Sequence, residues 1–201
     1  MKTMVTKIIL VIVMMMAMTA QYVVAQTDLY RGKTEIECAG NHFYVICRNF
    51  GNDNWLYFIG NKTNTKINKG AYLLSDGYRL IRDGLEADPA ELCEDYEAKL
   101  KKILNTIFTQ EEIKKFIERK NELDVFSVID CNKKISDMEF CLDGIYLANI
   151  PFERYYRLGE LIRTNLEFAM PSRHEERLEE LNGGFFIVDI WVDFSILYPS
   201  L

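Results

Sequence analysis

The chain has 201 residues, 49% of them apolar and 27% charged, with 24 Lys and Arg against 30 Asp and Glu. The formal net charge of −6 argues against a nucleic-acid partner, which calls for a basic face. The length suits one domain with a core of its own, without metals or disulfides to staple it.

Lys2 and Lys7 precede an apolar run, Ile8 to Met18, and small residues at Val23-Val24-Ala25 precede Gln26. This is the pattern of a secretory signal peptide over 1–25, too short for a comfortable membrane span. The chain is therefore expected to be exported, periplasmic or extracellular, with no membrane span after cleavage. Removing the segment leaves 22 basic and 30 acidic residues, a formal −8. Five cysteines (Cys38, Cys47, Cys93, Cys131 and Cys141) are then expected in an oxidising compartment. One or two disulfides or a set of buried thiols both fit, and the pairing stays open.

The first part of the single domain, 34–75, is predicted to be β-rich. A hairpin runs from Thr34 through the Gly40-Asn41 turn to Phe43–Cys47, and Trp55–Ile59 is the next strand. Asn49–Asn54 is a loop that lacks the ligand spacing of a calcium site. Asn61-Lys62-Thr63 matches a glycosylation sequon. Residues 66–84 fit a broken strand or a short helix equally.

Helices are predicted over 89–120. Asp88-Pro89-Ala90-Glu91 places an N-cap acceptor, a proline at the first position and a glutamate behind them. Leu92, Tyr96, Leu100, Ile103 and Ile107 then keep helical spacing, and Thr109 to Glu112 is a second capping box. The stretch 124–142 is a hairpin turning at Asn132-Lys133, with Val125 facing Phe140 and Ser127 facing Met138. That register gathers Val125, Ile129, Met138, Phe140 and Leu142 on one face, and a slip by one would bring Asp137 and Glu139 there. It also separates Cys131 from Cys141 by about 20 Å, beyond disulfide reach.

Phe152 to Ala169 has a helical pattern, stopped by Met170-Pro171, and a short charged helix follows over 173–181. Gly183-Gly184 leads into the most regular alternation in the chain, a long strand over 185–197. Phe186, Val188, Ile190, Val192, Phe194 and Ile196 point inward; Phe185, Ile187, Asp189, Trp191, Asp193 and Leu197 point outward.

The segment from Leu123 to Phe194 carries a strand, the turn Asp130-Cys131-Asn132-Lys133-Lys134-Ile135, a second strand, a helix ending at Phe168-Ala169-Met170-Pro171, and a final strand. In that order and with that turn it resembles the carboxy-terminal domain of TonB and small secreted bacterial proteins of similar build. The resemblance implies a small antiparallel sheet packed on helices and a role in protein contact. It implies no catalytic residue, because that family has none.

Candidate chemistry is sparse. His42 and Cys47 share the β-region and could form a nucleophile pair, yet nothing in the sequence orders them. His174 lacks the second histidine of a zinc-protease helix. Asp76, Asp83, Glu86 and Asp88 could supply acid and base for a glycoside reaction. No catalytic, cofactor-binding or metal-binding set emerges. The candidate partner surface is the outer side of the last strand, Phe185, Ile187, Asp189, Trp191 and Asp193, where aromatic anchors alternate with acids. The expectation is an α+β fold, an antiparallel sheet with helices packed mainly on one face. It acts by binding an unknown protein partner or a second copy of itself. The alternatives are a small secreted hydrolase using acidic residues, or a carrier for an apolar or glycan ligand.

Overall fold

A computed structural model describes residues 28–51, 55–63, 86–130, 132–169 and 185–201, with the backbone alone at 86, 87, 185 and 186. The expected signal segment, the ambiguous stretch 66–84, Cys131 and the charged segment carrying His174 lie outside the described residues.

The fold is α+β. Six strands form an antiparallel run, β1 (Glu35–Cys38), β2 (Asn41–Asn49), β3 (Trp55–Asn61), β6 (Ile135–Asp143), β5 (Glu122–Asp130) and β7 (Phe185–Asp193), in that spatial order. A two-residue strand, β4 (Glu86–Ala87), closes the far edge by pairing parallel to β7. Among the described residues the helices are α1 (Pro89–Leu92), α2 (Tyr96–Ile107), α3 (Gln110–Glu118), α4 (Ile145–Ala148), α5 (Phe152–Asn165) and α6 (Phe194–Leu197).

Strand alternation divides the sheet into two faces. On one, Val45, Tyr57, Ile59, Leu123, Val125, Phe140, Leu142, Val188, Ile190 and Val192 meet side chains from the six described helices in the main core. The other carries a smaller cluster of strand residues, Phe58, Phe126, Val128, Cys141 and Ile187. The described helices that meet the core are thus on one face, as the hydrophobic pattern predicts.

The predicted local signals form in place. Asp88 accepts from the Ala90 N–H at the start of α1. Thr109 and Glu112 exchange capping hydrogen bonds at the start of α3. Glu112 also receives two donors from Arg154 of α5, whose guanidinium reaches the Ile107 carbonyl at the end of α2 as well. These bonds hold the Glu112 carboxyl down at about 2 and tie three helices at one point. The β5–β6 register pairs Val125 with Phe140 and Ser127 with Met138, as expected. The turn is longer than two residues: Asp130 and Lys134 bond across it, and the register shifts between Val128 and Ile129.

Four expectations need correction. The polar stretch Thr27 to Lys33 has neither strand nor helix pattern in the sequence and is expected to be a loose lead-in, but in its described part Tyr30 is buried and donates to the Ile150 carbonyl. Asp28 accepts from the Tyr57 hydroxyl and the Tyr30 N–H, so the segment is docked onto β3. The helix expected to reach Ala169 stops at Asn165 because the chain turns extended at Leu166. The long strand ends at Asp193: its carboxylate accepts from the N–H groups of Ser195 and Ile196 and starts α6. Ile196, expected inward, is consequently 63% exposed.

Gly60 marks a close approach on the second face. A Cβ there would collide with the Tyr44 ring and hydroxyl, and that hydroxyl donates to the fully buried carboxylate of Glu139. Glu139 and burial together raise the Tyr44 hydroxyl pKa, with burial the larger cause.

Candidate functional site

The second face becomes chemically distinctive where β6, β5 and β7 run side by side. The two registers align three cross-strand rows: Asp143, Glu122 and Asp193; Cys141, Asp124 and Trp191; Glu139, Phe126 and Asp189. Paired residues sit about 5 Å apart on one face, so six carboxylates share nine neighbouring positions. Like charges at that spacing repel and partial burial withholds water, and both effects favour the protonated acid.

Asp124 bears most of this. Burial, and then the charges of Asp189, Glu122 and Asp143, push its carboxyl up to about 7, opposed only by a hydrogen bond with Cys141. Asp143 is also raised, by burial first and Glu122 second. The Cys141 thiol is pushed well up, mainly by burial and by Asp124. Asp193 moves the other way, because Ser195 and its helix-cap hydrogen bonds favour the charged form.

Trp191 stands at the end of the middle row, opposite Asp124, and is 49% exposed. Its indole N–H donates to Glu122 at 3.2 Å. That bond orients the ring without covering it. Beside Trp191 opens a cleft of about 550 Å³, lined by Asp189, Trp191 and Asp193 of β7, by Asp88 and Pro89 at the start of α1, by Tyr96 and Glu97 of α2, and by Ile196 of α6. Tyr96 is 9% exposed, and its hydroxyl has no hydrogen-bond partner among the described residues. Burial and the charges of Asp189, Asp88 and Glu97 raise that hydroxyl's pKa. The cleft thus offers an exposed indole, a buried phenol with unused hydrogen-bonding capacity, and a wall of carboxylates.

The candidate surface residues fall into different settings. Asp189, Trp191 and Asp193 line this cleft. Ile187 is buried in the small second-face cluster, and the Phe185 side chain lies outside the described residues. Leu197 lines the cleft from α6. Glu122, Asp124, Asp143 and Tyr96 belong to the site and are not among the candidate site residues of the sequence reading, where Tyr96 is a core position of a helix. Their signal was there, because Glu122-x-Asp124 and Asp189-x-Trp191-x-Asp193 alternate in strands. Only the spatial order β6-β5-β7 brings them together.

Other candidate chemistry disperses. His42 is an exposed partner of Glu35, and Cys47 donates to the Tyr30 carbonyl. Five residues apart on β2, His42 and Cys47 point to opposite faces. Of the acids Asp76, Asp83, Glu86 and Asp88, only the Asp88 side chain is described, and it caps α1. Cys38, Cys47, Cys93 and Cys141 are free thiols. Among the described residues no three His, Cys, Asp or Glu side chains converge to hold a metal ion, and no helix is long and apolar enough to cross a membrane.

No protein-family model matches the chain, and no curated protein matches it in sequence. Among solved structures, the fold is similar to that of a DUF5043 family protein from Bacteroides uniformis, with a TM-score of 0.55 and 13% sequence identity, covering 82% of this chain and 87% of that one.

Proposed function

We propose that the protein is an exported binding module that holds a partner protein in the cleft beside Trp191, and that it works without a catalytic step. One observation carries this reading: a half-exposed tryptophan, oriented by Glu122, opens onto a cleft that also contains the buried, unsatisfied hydroxyl of Tyr96. Large aromatic side chains in partly desolvated pockets are the usual anchors of protein interfaces. The orienting hydrogen bond lowers the entropy lost when a partner packs on the ring. Export and signal cleavage rest on the amino-terminal pattern of residues 1–25.

Selection from a random decapeptide library tests the reading. Peptides enriched on the wild-type protein are expected to lose about tenfold or more in affinity on Trp191→Ala, whose melting curve should match wild type. Enrichment that Trp191→Ala leaves unchanged would remove the cleft from the account.

Asp124 supports a second reading, a glycoside hydrolase. A carboxyl at about 7 among charged carboxylates has the proton affinity of a general acid. This reading expects turnover of nitrophenyl glycosides by wild type and its loss in Asp124→Asn. A panel of such glycosides left intact by wild type favours the binding module.

A further inference from the structure

We propose that β7 takes an extended segment of a partner protein as an added strand, bonded through the backbone of Trp191 at the sheet edge. This inference rests on the binding-module reading and adds how the partner is recognised: by main-chain hydrogen bonds, with uncharged apolar side chains at alternate positions.

Backbone alternation shows which edge is open. The Asp130 N–H of β5 bonds to the Lys134 carbonyl beside β6, and the Val128 carbonyl accepts from the Ser136 hydroxyl of β6. Backbone groups turn to alternate sides along a strand, so the even positions of β5 face β6 and the odd ones face β7. Leu123 and Val125 pair with Val192 and Ile190 of β7. Ile190 and Val192 therefore direct their N–H and C=O groups to β5, while Trp191 turns its own to the outer edge. On that edge β4 pairs with Ile187 and Val188 alone, and no described strand lies beyond it. A strand edge left open in this way is a template for another strand.

The cleft lies over this edge. Trp191 points to the second face and Leu100 belongs to the main core on the first, yet both line the cleft. A cleft that touches both must wrap the rim of β7. Its apolar lining continues through Pro89, Ala90 and Leu197. Trp191 and Ile196 are two of four large apolar side chains that stand exposed among the described residues, so uncovered apolar surface gathers at the same edge.

An extended segment suits both features. It continues the row that β4 begins, and the run from Asp189 to Asp193, about 13 Å, takes about five of its residues. Its side chains fall alternately on the Trp191 ring and on the wall of Pro89 and Leu100. A second copy of this chain fits poorly, because antiparallel pairing centred on Trp191 would set Asp189 of one chain against Asp193 of the other.

The test is amide hydrogen exchange of the purified full chain, followed by ¹⁵N NMR, with a capped decapeptide of alternating valine and serine as the probe. In the free protein the Trp191 N–H is expected to exchange about tenfold or more faster than those of Ile190 and Val192, and saturating peptide should slow it about tenfold or more. Methylating the peptide nitrogens of one alternate set should weaken binding about tenfold or more, and methylating the other set should leave it unchanged; the sensitive set reports the direction of the added strand. A Trp191 N–H as protected as its neighbours in the free protein would overturn the proposal. So would a peptide that fails to bind, or one that binds equally with either set methylated. Library peptides that depend on Trp191 but leave its N–H exchanging freely would overturn it while leaving the binding-module reading intact.

Discussion

Asp124→Asn is expected to raise the stability of the free protein at pH 8 by about 1–3 kcal/mol, and to leave it nearly unchanged at pH 4. The carboxyl titrates at about 7 in the folded chain against an ordinary 3.8, so between those values the folded protein keeps a proton that the unfolded chain has released. Stability therefore falls as pH rises through this window, and the penalty is complete above 7. The full shift would be worth roughly 4 kcal/mol, and the remaining solvent access of Asp124 reduces it. Urea unfolding of both proteins at the two pH values measures the difference. A gain equal at pH 4 and pH 8 would mean that the effect comes from packing and not from the charge.

Ending the chain before Ile190 is expected to abolish cooperative folding. The deletion removes Ile190, Val192, Phe194 and Tyr198, all buried in the main core. At about 1.5–3 kcal/mol per buried side chain, the loss approaches the whole 5–15 kcal/mol stability of a domain. It also leaves Glu122–Val125 without the β7 partners that pair with them. Ending the chain after Tyr198 removes only exposed residues and should leave the melting curve unchanged. A soluble, cooperatively melting protein from the shorter truncation would show that β7 is an appendage and not part of the core.

Much of this fold could be read from local signals. The β5–β6 register follows from period-2 alternation, because a slip by one residue would exchange Phe140 for Glu139 on the main core face. The starts of α1 and α3 follow from Asp88-Pro89 and from Thr109 with Glu112, whose chemistry is complete within four residues. The end of β7 was misread because Phe194, Ile196 and Leu197 extend the apolar pattern past the strand. The signal that overrides it is polar: Asp193 followed by Ser195 supplies a cap acceptor, and one helical turn rotates Ile196 outward.

The site was half legible. Asp189, Trp191 and Asp193 stand out on one strand, whereas Glu122 and Asp124 lie about seventy positions earlier and look like ordinary strand-edge acids. What makes them a site is that β7 inserts beside β5 and not beside β6, a choice set by long-range packing. The Tyr96 hydroxyl is harder still to foresee, since its helical spacing marks it as a core residue and its unsatisfied oxygen is visible only in three dimensions.

The central claim is that burial and neighbouring carboxylates crowd this sheet face enough to keep a proton on Asp124 near neutral pH. Its most direct test is the carboxyl titration of Asp124, followed by ¹³C NMR. The midpoint is predicted near 7. A midpoint near 4, the ordinary range of a carboxylate, would contradict the account.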